Sequence, residues 1–134
     1  MKNEQWKMTA KVDNTNEEFR TRLLDFAVDI LRMLSKIPYK KEYDVIRYQL
    51  SRSATSIGAN YEESQSSTYK EFLQKVRIAL RESNETKYWL NIIKKLSMVD
   101  NNLNDALLKE VTEITNILGA IASKADRNIR KLKS

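Results

Sequence analysis

The residues best suited to chemistry in this chain form a polar row at helical spacing. The row consists of Arg52, Ser56, Asn60 and Glu63, at intervals of four, four and three residues. An α-helix places such residues on one face, where a guanidinium, a hydroxyl, an amide and a carboxylate can satisfy one another at a contact surface. The same row also fits an ordinary solvated helix face, and the sequence leaves both interpretations open.

Catalytic chemistry has few suitable groups in this sequence. The chain has no Cys and no His, which removes the thiolate nucleophile, the usual general base near neutral pH and the commonest metal ligand. Carboxylates such as Glu63 and Glu85 have no Gly-rich phosphate loop beside them, so an enzyme built on them is a weak interpretation. We therefore expect no catalytic activity, no metal site and no cofactor.

Length and composition predict one domain and favour anionic partners. A chain of 134 residues is long enough to bury one core without disulfides, and the absence of Cys fits a reducing compartment. It has no apolar run long enough to span a membrane and no secretory signal pattern at its start, so we expect a soluble cytoplasmic protein with no membrane partner. The net charge of +6 gives the protein a mild preference for anionic partners such as nucleic acid.

The elements that position the polar row are predicted to be helices. With only two Gly and one Pro, the chain has few helix breakers, and its apolar residues repeat by threes and fours. Capping-box spacings at Thr15 with Glu18 and at Thr68 with Glu71 mark two helix starts. We predict helices over about 16–37, 41–64, 69–97 and 103–131, within one all-α domain of residues 15–132. The expected fold is an up-down-up-down antiparallel four-helix bundle, preceded by a flexible arm of residues 1–14 that contains Trp6.

The third helix carries more apolar surface than one bundle face needs. Its second stripe consists of Ile78, Trp89, Ile92 and Leu96. Aromatic residues on an outward stripe are typical of subunit contacts, so the sequence predicts a homo-oligomer with this stripe at the interface. A broad core face on a central helix is the alternative.

The middle of the third helix is polar and can meet the polar row of the second. We hypothesise that Arg52, Asn60 and Glu63 join Ser83 and Glu85 in a hydrogen-bonded network. Such a network could lie inside the bundle or between subunits, and it would fix the register of the helices.

Three sequence strings resemble a known family. Residues 49–63 read QLSRSATSIGANYEE, residues 70–73 read KEFL, and Ala79, Ser83 and Glu85 follow at matching positions. This pattern resembles the four-helix bundle proteins encoded in bacterial 23S rRNA intervening sequences, and it covers the first three helices. Family members usually carry QLRR, SIPAN and EG, and later GS, so the chain resembles divergent members. The four departures are Ser51, Gly58, Ser64 and Glu82.

The resemblance implies a bundle that assembles into a ring, a homopentamer, without known catalytic activity. It also implies kinship with the accessory variability proteins of diversity-generating retroelements, which are basic bundles that work with nucleic acid and a reverse transcriptase. The positions carried over are Arg52, Ser56, Asn60, Glu63, Ser83 and Glu85. The resemblance alone does not say whether they serve folding, assembly or binding.

Basic residues are expected to gather at both ends of the bundle. One end has Lys36, Lys40, Lys41, Lys94 and Lys95. The other has Arg20, Arg22, Lys70, Lys124, Arg127, Arg130, Lys131 and Lys133. Repeated around a ring, either cluster could follow the phosphates of RNA or DNA without reading bases, although lysines near helix C-termini also favour the helix dipole and solubility. The alternative function is a protein-interaction or assembly module with no nucleic-acid role.

Overall fold

The structure is a computed structural model that describes the backbone of residues 10–133 and the side chains of residues 15–133. Trp6 and the rest of residues 1–9 lie outside the described residues. The described chain forms four α-helices: α1 (Ala10–Leu34), α2 (Asp44–Ser64), α3 (Tyr69–Lys95) and α4 (Asn101–Lys133). Their short connections make neighbours antiparallel, which confirms the all-α four-helix bundle.

The first helix differs most from its predicted bounds. It begins at Ala10, so Thr15 lies inside the helix and is not its N-cap, and the last five residues of the predicted arm belong to α1. It ends at Leu34, where the chain continues in a turn with a 2.9 Å hydrogen bond from the amide of Lys36 to the carbonyl of Met33. Pro38 follows closely and disfavours further helix.

The other helix ends follow local cap chemistry. A 3₁₀ turn over Lys41–Tyr43 precedes α2. The capping box predicted for α3 is present, with Thr68 Oγ1 accepting from the amide of Glu71 at 3.2 Å and the Glu71 side chain accepting from the amide of Thr68. At the start of α4, Asp100 Oδ1 accepts from the amide of Asn102 at 3.0 Å.

Arg47 closes the connection between α1 and α2. Its Nη2 donates to the carbonyl of Pro38 at 2.7 Å and to that of Ile37, and its guanidinium lies 4.2 Å from the ring centre of Tyr39. Carbonyls that follow a helix end have no hydrogen-bond donor within the helix, so the Arg47 side chain provides the donors. This fixes the start of α2 against the end of α1.

The core lies along the bundle axis, and α3 contributes most to it because its contacts with α2 and α4 are the most extensive among the described helices. Most apolar residues that the period placed inward are buried, among them Phe26, Leu50, Val76 and Ile114. Among the others, Tyr43, Leu80 and Ile121 are half-buried at the core edge. The helix α1 packs mainly on α2.

A layer of hydroxyl groups crosses this core. Thr86 Oγ1 lies 2.9 Å from Ser53 Oγ, which joins α3 to α2, and Thr115 Oγ1 lies 2.9 Å from Ser83 Oγ, which joins α4 to α3. The side chains of Ser53, Ser83 and Thr86 are fully buried. Each of the four hydroxyls also contacts a carbonyl of its own helix, so the two pairs add to those bonds and favour the observed register of the three helices.

Tyr61 joins the end of α2 to the start of α1. Its hydroxyl donates to Asn16 Oδ1, and its ring meets Phe19 edge to face with centres 5.1 Å apart. Burial raises the pKa of Tyr61 to about 12, because the charged phenolate would lose its hydration.

We predict that Tyr61 makes the bundle sensitive to alkali. Because its folded pKa lies above the unfolded value near 10, the stabilisation is complete below pH 10 and is lost as the pH rises towards 12. Between pH 9 and pH 11.5 the parent chain should lose about 2 kcal/mol of unfolding free energy that a Tyr61→Phe variant retains. Urea denaturation at pH 9 and pH 11.5 measures the difference.

The matched control is Tyr88→Phe, because the Tyr88 side chain is exposed. This variant should follow the pH profile of the parent. Equal slopes for the parent chain and Tyr61→Phe would contradict the prediction.

Candidate functional site

Arg52, at the start of the polar row, faces α3 and holds two of its carboxylates. Its Nη2 donates to both oxygens of Glu85, at 3.1 and 2.9 Å, and its Nη1 lies 3.6 Å from Glu82 Oε2. The carboxylates of Glu82 and Glu85 raise the pKa of Arg52, so it stays charged. A bidentate guanidinium–carboxylate pair also restricts the side-chain orientation of both partners.

Glu85 joins this ion pair to the apolar stripe of α3. Trp89 Nε1 donates to Glu85 Oε2 at 3.0 Å, and the Trp89 ring meets Tyr88 edge to face. Trp89 and Ile92 are half-buried against the core, and Ile78 is half-buried as well. Leu96 is 53% exposed.

The polar row and the apolar stripe therefore meet along one side of the bundle. We call it the α2–α3 face, defined by Arg52, Glu85, Ile78, Trp89 and Leu96. It combines a charged pair with half-exposed apolar side chains, which is a composition that subunit contacts use.

The other members of the predicted network have other partners. Asn60 Nδ2 donates to the carbonyl of Ser56 within α2 at 2.9 Å, and Lys75 Nζ donates to Glu63 Oε1 at 2.7 Å. Ser83 lies inside the core and pairs with Thr115, as described above. The structure thus brings Arg52 and Glu85 together and does not join them to the remaining three.

Two residues beside this face were not predicted to be partners in the network. Ser53, next to Arg52, pairs with Thr86, and Glu82 is the second carboxylate on Arg52. The helical period contains the signal for Ser53, because it lies three residues after the buried Leu50 and therefore on the core side of α2. For Glu82, the signal in the sequence is its spacing, because it lies three residues before Glu85 and therefore on the same face of α3.

Two arginines of the predicted basic clusters are neutralised by acids of neighbouring helices. Arg20 makes a bidentate pair with Glu62 at 2.8 Å for each contact. Arg22 contacts both Glu110 at 2.6 Å and Glu113 at 2.6 Å, and these carboxylates raise the pKa of Arg22. Both arginines therefore tie α1 to the bundle and add little to a surface for anions.

The C-terminal end of α4 keeps a positive excess. Residues 124–133 contain five basic residues and one acid, Asp126. Asp126 binds Arg77 at 3.3 Å and Arg130 at 2.9 Å, while Arg127, Lys131 and Lys133 are exposed. Asn128 lies beside Tyr69, the first residue of α3, with Nδ2 2.9 Å from the tyrosine hydroxyl, so the last turn of α4 extends past α3.

Lysines and acids are mixed at the opposite end of the bundle. Lys94 Nζ lies 3.0 Å from Asp105 Oδ1, and Lys40 lies 5.4 Å from the ring centre of Tyr43. Lys41 and Lys95 are exposed. Acids share this end with the lysines, namely Glu42, Asp44, Asp100 and Asp105.

A groove of about 1110 Å³ between α1 and α4 has the wrong charge for a polyanion. Three basic residues line it, Arg22, Arg32 and Lys36. Its five acidic residues are Glu17, Glu18, Asp25, Asp29 and Glu110. This acidic excess disfavours phosphate binding.

The described residues contain no group of three or more acidic, Cys or His side chains arranged to hold a metal ion. None of the helices in residues 10–133 has the apolar length that crossing a membrane requires.

Comparison with known proteins places the chain in a family. The family model described as 23S rRNA-intervening sequence protein matches residues 16–120. The chain belongs to this family. The match spans most of the bundle and confirms the resemblance found in the QLSRSATSIGANYEE and KEFL strings.

A solved crystal structure is also similar to the chain. It is a protein with unknown function from the S23 ribosomal protein family of Bacteroides thetaiotaomicron, with 32% sequence identity and a TM-score of 0.71. The similarity covers 78% of this chain and 97% of that one. No curated protein matches the chain.

We predict that Arg52 is energetically coupled to Glu85 and not to Glu63. In a double-mutant cycle, Arg52→Ala and Glu85→Ala should have non-additive effects on the unfolding free energy, because each removes the other's partner. Arg52→Ala and Glu63→Ala should be additive, because Glu63 pairs with Lys75. Urea denaturation of the six chains measures both cycles, and an additive Arg52–Glu85 cycle would contradict this account.

Proposed function

We propose that this family member is a non-enzymatic, homo-oligomeric protein of the cytoplasm that binds the backbone of RNA or DNA without strong sequence preference. The observation that carries the proposal is the C-terminal end of α4. Its five basic residues have one acid among them, and its last turn extends past the start of α3. Of the acids of α2 at the same end, Glu62 is paired with Arg20 and Glu63 with Lys75, so phosphates would approach the last turns of α4, which extend past the start of α3.

The chemistry of this end fits the nucleic-acid backbone better than bases. Arg127, Lys131 and Lys133 are exposed on the last turns of one helix, and long cationic side chains in that position can contact successive phosphates. Phosphate contacts determine affinity and carry no sequence information. Binding without strong sequence preference follows from that chemistry.

Assembly is the second part of the proposal. We place one half of the subunit contact on the α2–α3 face, in a ring that the family resemblance implies to be a homopentamer and that joins two different surfaces of neighbouring subunits. The support is the exposed Leu96 beside the half-buried Trp89 and Ile92. In a ring with parallel bundles, the C-terminal ends of α4 would form one positive collar.

We predict that nucleic-acid binding depends on the C-terminal end and on salt. Fluorescence anisotropy with a labelled RNA duplex and a labelled DNA duplex would be measured at 50 and 200 mM salt. Each phosphate contact should contribute about 0.9 to the slope of log affinity against log salt for duplex DNA. A variant that combines Arg127→Glu, Lys131→Glu and Lys133→Glu should weaken binding at both salt concentrations and reduce the slope by about 2–3.

The matched control makes the same three charge reversals at the other end, with Lys40→Glu, Lys41→Glu and Lys95→Glu. It alters the net charge equally and should retain most of the affinity. Equal losses in both variants would show that net charge alone drives binding and would contradict the proposed site. Salt-independent binding, or no binding, would contradict the nucleic-acid function. A protein partner that survives nuclease treatment and high salt would instead favour the interaction module.

We also predict that a charge on the α2–α3 face prevents ring assembly. Because Leu96 is 53% exposed, Leu96→Glu should leave the bundle folded and leave a charge without a partner in the contact. Light scattering should show a parent particle of several chains and a smaller particle for the variant. A parent that is monomeric, or a variant of unchanged mass, would contradict the proposed contact.

A further inference from the structure

The outer side of α1 carries an exposed stripe with coiled-coil spacing. Thr21, Leu24, Val28, Leu31 and Ser35 follow one another at intervals of three, four, three and four residues. Leu24 is 64% exposed, Leu31 47% and Val28 36%. The buried residues of α1 lie on the opposite side of the helix, so the bundle core makes no use of this stripe.

A groove along the neighbouring seam leaves room for another helix. It lies between α1 and α2 and has a volume of about 620 Å³. Leu24, Val28 and Leu31 line its α1 side, and the small residues Thr55 and Ala59 line its α2 side. Side chains that project from a helix on the stripe could enter this groove.

The charges beside the stripe are self-complementary. In heptad terms Leu24 and Leu31 are d positions, and the residues that follow them, Asp25 and Arg32, are e positions. In an antiparallel pair of α1 helices with Val28 packed on Leu31 of the second copy, Asp25 faces Arg32 of the second copy. The two-fold axis produces this attractive pair twice.

Arg32 is available for such a contact. Its side chain is 77% exposed, and its pairing within α1 is a long 4.0 Å contact with Asp29. An arginine with so weak a partner can turn to a closer carboxylate at little cost.

We propose that the outer side of α1 binds a second copy of this chain, through an antiparallel, two-fold symmetric α1–α1 contact. The contact lies away from the α2–α3 face and does not depend on the proposed nucleic-acid function or on the ring. Three apolar residues per copy form a small interface. We therefore expect a dissociation constant on the order of 1–100 µM for two isolated bundles.

The test is a charge swap read by the mass of the particle. Asp25→Arg and Arg32→Asp, made separately, each place like charges opposite each other and should weaken the contact roughly tenfold. The double variant Asp25→Arg/Arg32→Asp reverses both charges and should restore the parent affinity to within about twofold. Sedimentation velocity from 1 to 300 µM measures the association.

A second variant removes the apolar stripe. Leu24→Glu with Leu31→Glu should abolish the concentration-dependent association that the α1–α1 contact produces. Leu132→Glu is the matched control, because Leu132 is 75% exposed on α4 and lies outside the contact. Circular dichroism should show the same helix content in every variant, since all of the changed side chains are exposed or at the outer edge of α1.

Two results would overturn the proposal. One is a particle mass that Leu24→Glu/Leu31→Glu leaves unchanged, and the other is a double charge swap that fails to recover the association lost by either single change. A failure of the ring contact gives a different pattern, because Leu96→Glu tests that contact alone. A parent that stays monomeric at 300 µM would overturn both contacts.

Discussion

Packing of α3 against α2 and α4, with paired hydroxyl groups at its centre, is the constraint on which the rest of the bundle depends. Ser53 lies opposite Thr86, and Ser83 lies opposite Thr115, in a core that is otherwise largely apolar. Each of these hydroxyls also contacts a carbonyl of its own helix, so the pairs between helices add to bonds that every register would keep. The register of α2 and α4 against α3 therefore follows from apolar packing together with these two pairs.

That register also determines the surface. Because α2 and α3 are antiparallel and Ser53 faces Thr86, the preceding Arg52 comes beside Glu85. Two to three turns further along α2, the same alignment places Glu63 beside Lys75. The ion pairs between α2 and α3 therefore follow from the register of the core. Because these pairs are exposed, they add little to the stability of the bundle by themselves.

The helical period predicted which side chains are buried because burial of a stripe is a local property of each helix. It could not predict pairing between helices, which depends on registers that several residues determine together. Thus the sequence placed Arg52 and Glu85 in one network, yet it also included Ser83, which points into the core, and omitted Ser53. The predicted start of α1 is wrong for a related reason. Thr15 with Glu18 has capping-box spacing, but α1 begins at Ala10, so this spacing lies inside the helix and does not mark its start.

Net charge did not locate the proposed anion-binding surface for the same reason. Arg20 and Arg22 were grouped with the C-terminal bases on sequence position, but their long side chains reach carboxylates of α2 and α4. The end of α4 remains positive. The helix extends past the start of α3 there, and residues 124–133 contain five basic residues and one acid. An antiparallel α1 contact inverts one bundle relative to the other, so the basic ends of the two copies would point in opposite directions. Two bundles joined through α1 would therefore present their basic ends on opposite sides of the particle, so one stretch of nucleic-acid backbone could not follow both ends at once.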